Sequence, residues 1–180
     1  KRNNTPVDEP AIPFTYQLPH DEENIIDNQS VRAHFSEGTF YEDLLLDYDL
    51  VVENTQGLYS PVHRFQTHTT PVHRYFDLHI RPNEIPEQLK EKAVIAHCKD
   101  GASPKSYGGE WTTEGRLRAP VRDFGNFAIM IDTMSPTIKP YHFSRDMRTW
   151  NDFSFEIEDN FPTAGKARDL RFRAEVDGQW

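Results

Sequence analysis

Val31-Arg32-Ala33-His34-Phe35 is the stretch that decides the fold class. Apolar residues at 31, 33 and 35 alternate with Arg32, His34 and Ser36, a period of two. Successive side chains of a strand point to opposite faces, so this spacing gives one apolar face and one polar face. The pattern recurs outward from there. Phe76, Leu78 and Ile80 alternate with Asp77 and His79, and Phe127, Ile129 and Ile131 alternate with Ala128 and Met130. Phe153, Phe155 and Ile157 alternate with Ser154, Glu156 and Glu158, and Leu170, Phe172, Ala174 and Val176 alternate with Arg171, Arg173 and Glu175. Residues 44–52 read as one long strand, with Leu44, Leu46, Tyr48, Leu50 and Val52 on one face and Leu45, Asp47, Asp49 and Val51 on the other. Ala93–His97 reads as a further strand. Helical signal is confined to Ile85-Pro86-Glu87-Gln88-Leu89-Lys90-Glu91-Lys92, enough for one or two turns, with Pro86 suited to a first helical position. One apolar face per strand, with polar turns between, predicts an all-β chain of immunoglobulin-like antiparallel β-sandwich modules.

Prolines and polar runs divide the chain. Residues 1–27 carry Pro6, Pro10, Pro13 and Pro19 and the acidic Asp21-Glu22-Glu23, which predicts a linker or extended arm with Phe14-Thr15-Tyr16 as a docking strand. A sandwich module is placed at 28–131. Its last strand runs into Asp132-Thr133-Met134-Ser135-Pro136, where proline ends the ladder and stiffens the joint. A second immunoglobulin-like module is placed at 136–180, roughly half of a usual sandwich of about 100 residues. Asp177-Gly178 is a hairpin turn signal whose second strand, beginning Gln179-Trp180, is missing. The chain is therefore expected to be a segment cut from a longer one, truncated inside this module.

Composition excludes some partners. Of 180 residues, 29 are acidic and 20 basic, a net charge of −9, which argues against nucleic acid or an anionic membrane surface as partner. Cys98 is the one cysteine, so no internal disulfide forms. No run approaches the roughly 18 consecutive apolar residues of a membrane span, and no signal-peptide pattern opens the chain.

The order of several short motifs is more telling than any one of them. Gly108-Gly109-x-Trp111 is followed by Leu117-x-Ala119-x-Val121-Arg122-x-Phe124-Gly125-x-Phe127-Ala128-Ile129. Asp132-Thr133-x-x-Pro136-x-Ile138-x-Pro140, Phe153-Ser154-Phe155-Glu156-Ile157-x-Asp159 and Val176-Asp177-Gly178-x-Trp180 come next. Upstream stand Ala33-x-Phe35-x-x-Gly38-Thr39-Phe40-Tyr41-Glu42-Asp43, then Tyr59-Ser60-x-x-His63-Arg64 and Pro71-Val72-His73-Arg74. Over residues 28–180 this order resembles the region downstream of the peptidase domain in large exported lysostaphin-type (LytM-like) zinc peptidases of Bacteroidetes-like bacteria. It departs from that pattern after Asp159, where Asn160-Phe161-Pro162-Thr163-Ala164-Gly165-Lys166 replaces a short turn. That family's catalytic domain binds zinc through His-x-x-x-Asp and a later His-x-His, and this chain has no His-x-His. The resemblance thus implies a non-catalytic accessory segment, exported to the periplasm or cell envelope. Its partner would be the catalytic domain of the same parent chain, with peptidoglycan or envelope proteins beyond it. The alternative is a free-standing carbohydrate- or protein-binding sandwich of the envelope.

No catalytic, cofactor or metal residue is assigned. His63, His68, His73, His79 and His97 cluster in the sequence without the short spacings that zinc requires. His142-x-x-x-Asp146 lacks its second histidine motif. Asp47, Asp49 and Asp77 lack a calcium-loop spacing, and Asp132, Asp159 and Asp177 read as turn residues at strand ends. Cys98 has only the adjacent His97, which a strand turns to the other face. Trp111, Arg116, Arg118 and Arg122 form the candidate binding surface, an aromatic beside a short basic stripe. Trp150 and Trp180 are read as packing residues.

Overall fold

The structure is a computed structural model and describes residues 15–52, 56–99, 103–142, 146, 148–167 and 173. Its strands, in chain order, are Tyr16–Leu18 (β1), Asn24–Asp27 (β2), Val31–Phe35 (β3), Leu44–Leu46 (β4), Tyr48–Val51 (β5), Val62–Phe65 (β6) and Phe76–Ile80 (β7). A 3₁₀ helix at Glu87–Lys92 precedes Ala93–Cys98 (β8), Lys105–Ser106 (β9), Glu110–Trp111 (β10), Leu117–Val121 (β11), Gly125–Ile131 (β12), Thr137–His142 (β13) and Ser154–Glu158 (β14).

Two five-stranded antiparallel sheets, ordered β10-β11-β7-β3-β2 and β5-β6-β12-β8-β9, make the sandwich. The chain is all-β with antiparallel pairing, as the period of two predicts. Val31, Ala33 and Phe35 of β3, Phe76, Leu78 and Ile80 of β7, and Leu117, Ala119 and Val121 of β11 are all buried. Phe65, Phe127, Ile129 and Ile95 meet them from the other sheet in one continuous core. Phe35 lies 4.6 Å from Phe76 between ring centroids, and Phe124 closes the group at 5.8 Å from Phe76. β12, the central strand of its sheet, is buried on both faces along Phe127-Ala128-Ile129.

Two readings change in detail. Of the linker or extended arm expected at 1–27, residues 1–14 lie outside the described residues, and 15–27 form two paired strands. β2 pairs with β3 along its whole length, Ile26 is buried, and β1 pairs with β4. Pro19, the described proline of that stretch, falls between β1 and β2. The single strand read through 44–52 is two. β4 ends at Leu46, and after Asp47 the chain changes partner from β1 to β6. Asp47 carbonyl accepts from Gln66 N–H at 2.7 Å, and Thr15 Oγ1 accepts from Tyr48 N–H at 3.0 Å, so the backbone groups at the switch are satisfied. Beyond it the apolar face is lost: Leu46 is fully buried and Val52 is 81% exposed. The helical signal at 85–92 is realised as the 3₁₀ helix, with Pro86 just outside it as the cap residue.

β12 ends at Ile131 and β13 starts at Thr137, with Asp132–Pro136 between them. β13 and β14 form an exposed hairpin braced by Lys139–Glu158 and Tyr141–Glu156 contacts. The apolar alternation read at Leu170–Val176 lies outside the described residues.

Candidate functional site

β9 is the last strand of its sheet, and an unprotected edge there would leave backbone donors and acceptors facing water. The chain returning from the hairpin covers it. Asp159 turns the backbone by accepting from Phe161 N–H at 3.0 Å. Phe161 is then buried at 6% exposure. Ser106 N–H donates to the Pro162 carbonyl at 2.9 Å, and Ala164 N–H donates to the Ser106 carbonyl at 2.8 Å. Thr163 thereby makes a parallel bridge to Ser106. Gly165 sits at φ +62°, and a Cβ there would lie 2.8 Å from the Tyr107 ring. Only glycine allows this close approach without strain. Lys166 Nζ stands 4.4 Å above the Tyr75 ring.

This docking walls in a cleft of about 410 Å³, lined on the sandwich side by His68, His97, Lys99, Lys105, Tyr107 and Asp123 and on the other by residues 163–165. The Tyr107 hydroxyl donates to Asp123 Oδ2. Burial, and then that carboxylate, push the phenol well above its ordinary range, so it stays a donor. His97 stacks on Phe127 at 4.9 Å, and burial holds it below the usual histidine range, in its neutral form. Gly125 at φ +134° leaves the space that His97 occupies: a Cβ would lie 2.4 Å from His97 Nε2. Burial also pushes the Cys98 thiol up, the opposite of what an activated nucleophile needs. This arrangement orients and packs chain against chain.

The candidate residues read from sequence are not brought together as one basic surface. Arg116 is buried and crosses the end of its sheet to Asp27 Oδ1 at 3.0 Å, donating also to the Asn28 carbonyl at 2.9 Å. Arg118 donates to Asp77 Oδ1 at 2.8 Å and lies 3.6 Å from Glu110 Oε2. Exposed Arg122 donates to the Val72 carbonyl at 3.3 Å. The even spacing of 116, 118 and 122 in and beside β11 suggests one face, but acidic partners on other strands consume two of the three charges. Trp111 stays partly exposed on β10, its Nε1–H donating to the Lys90 carbonyl at 2.9 Å.

His142 and Asp146 diverge. His142 stacks on Trp150 at 4.1 Å with Asp152 at 3.6 Å from its Nδ1, while Asp146 is held by Arg148 at 2.6 Å and stays below the usual carboxylate range because of it. Asp77 is paired to Arg118, on the other sheet from Asp49. Asp132 and Asp159 line a common cleft beside the returning chain, of about 670 Å³. Asp177 and Trp180 lie outside the described residues. Sequence reasoning missed Tyr107, Asp123, Phe161 and Gly165. The signal for the last two was the departure at 160–166. Tyr107 and Asp123 belong to no periodic pattern.

The class of protein is thus an antiparallel β-sandwich whose open edge is completed by its own downstream chain. Residues 15–132 match the model described as Zu5-like domain, the span from just before β1 to just after β12. The chain belongs to the Zu5-like domain family. No curated protein matches it.

Proposed function

We propose that this chain is a non-catalytic accessory segment of an exported cell-wall peptidase, spacing and docking the catalytic domain of its parent chain at peptidoglycan. The observation that carries this reading is the return of Phe161–Ala167 onto β9. A domain tethered through a free joint explores a large volume at low effective concentration, whereas a stiff joint confines it. Here the short Asp132–Pro136 connection and the pairing at Ser106 hold the chain at two points on either side of the β13–β14 hairpin. Pro136 and Pro140 restrict the backbone between them. The motif order resembling lysostaphin-type peptidases names the parent class.

The test is made in the parent chain. Deleting residues 15–167 is expected to lower muropeptide release from purified sacculi several-fold while leaving cleavage of a soluble peptide unchanged. Equal release with and without the segment overturns the spacing role. Release of muropeptides by the isolated chain, or about one tightly held zinc per chain in its metal analysis, overturns the non-catalytic reading.

A further inference from the structure

A third concavity lies between the 3₁₀ helix and the β10–β11 hairpin. It is an open groove of about 1040 Å³. Ile85, packed on the core from its partly buried position, and Pro82 form apolar parts of its lining. Trp111 lines it while 36% exposed, and the bond from its Nε1–H to the Lys90 carbonyl fixes the indole in one orientation. The turn carrying Trp111 is held by Thr112 Oγ1, which donates to the Arg116 carbonyl and accepts from Arg116 N–H, each at 3.1 Å. Around this platform stand Asn83, Gln88 and Thr113, all exposed and with no side-chain hydrogen bond among the described residues. Lys90 is engaged by Glu87 at 2.6 Å, so the charge left over in the groove is the carboxylate of Glu91.

We infer that this groove binds a neutral β-linked oligosaccharide, with a pyranose ring laid on Trp111 and its hydroxyls taken by Asn83, Gln88, Thr113 and Glu91. The chemistry follows from the lining. A pyranose with equatorial substituents offers a flat C–H face that an indole covers well, and a polar rim that amides and carboxylates satisfy as both donors and acceptors. An apolar ligand would leave those amides without partners. An anionic ligand would meet Glu87 and Glu91 against a single, already paired lysine. The inference stands on the groove alone and does not depend on the peptidase reading.

The test is NMR titration of the full 180-residue chain with chitohexaose and cellohexaose, with hexagalacturonate as the anionic counterpart. The neutral sugars are expected to shift the Trp111 Nε1–H, Asn83 and Gln88 side-chain and Thr113 backbone resonances. Trp111→Ala is expected to weaken binding about tenfold or more, and Trp111→Phe, which keeps a ring face, by about threefold. Asn83→Ala with Gln88→Ala is expected to cost about tenfold, and Trp150→Ala nothing. Should Trp111→Ala not fold, the phenylalanine and amide variants decide. The inference is overturned if no groove resonance moves at about 10 mM sugar, weaker than any useful site. It is equally overturned if a folded Trp111→Ala binds as the native chain does, or if hexagalacturonate binds as tightly as the neutral sugars.

Discussion

His63 sits in β6 with no exposed surface, its Nδ1 3.0 Å from the Tyr48 hydroxyl and its Nε2 buried with no hydrogen-bond partner among the described residues. Burial pushes its pKa down from 6.5 to about 4. The unfolded chain therefore binds a proton more readily than the folded one between those values. The stability this contributes is present above pH 6.5 and is lost as the pH falls toward 4, amounting to about 3 kcal/mol at most. Urea midpoints measured from pH 7.5 to 4.5 are expected to fall, and to fall less in His63→Phe. An unchanged slope in that variant would assign the acid sensitivity elsewhere, to His79 and His97, which burial also holds below the usual range. Gly125 makes a second residue-scale prediction. Its φ of +134° and the 2.4 Å from a Cβ to His97 Nε2 mean that Gly125→Ala meets both backbone strain and a side-chain clash. The expected loss is about 2–4 kcal/mol in urea unfolding. Combining it with His97→Ala should recover the clash component and leave the backbone component.

Edge strands are where this sandwich departs from its simple pattern. β2 lies at one edge and the hairpin β10–β11 at the other, and Arg116 links the two across the end of the sheet through Asp27 and Asn28. Because Arg116 is buried, removing Asp27 strands a cation rather than deleting a surface pair. Asp27→Ala is expected to cost about 2–4 kcal/mol, while Arg116→Met, which keeps the volume and removes the charge, should cost less. Thermal unfolding of both variants checks the order, and a reversed order would mean that the pair acts through packing. The division of residues 44–52 at Asp47 is the same theme. A single chain serves two sheets by changing partner, and the buried face of β4 does not continue into β5.

At the scale of the whole molecule, the aromatic that anchors the downstream chain lies beyond the β13–β14 hairpin. Tyr141 and Trp150 next to the hairpin are exposed or half-exposed, and the residue that seats the downstream chain on the sandwich is Phe161. Gly165→Val is expected to lift the returning chain off Tyr107, because the new side chain meets the ring and the left-handed backbone at once. Proteolysis within 159–167 should then speed up about tenfold, the equivalent of about 1.4 kcal/mol of local stability. Small-angle scattering should show a narrow distribution of shapes for the native chain and a broader one for the variant. A native chain that already shows the broad distribution would remove the physical basis of the spacing role.

What the amino-acid order determined by itself is the strand content and the buried face of β3, β7 and β11, because a period of two is a property of the local backbone. Apolar runs such as Val31-Arg32-Ala33-His34-Phe35 have one stable way to face a core. The end of β12 at Ile131, ahead of Pro136, was equally legible, since proline acts on its own residue and the one before it. Pairing was decided only in three dimensions. Phe14-Thr15-Tyr16 hinted at a docking strand, but that Tyr16–Leu18 pairs with β4 and Asn24–Asp27 with β3 is seen only in the fold, the stretches being too short to carry a period. Arg116, Arg118 and Arg122 look alike along the chain, and the acids of β2 and β7 separate the first two from the third. Residues 160–166 have no period at all. Their course over the sandwich is set by the open backbone of Ser106 and by the Tyr107 ring, which nothing in the local sequence encodes.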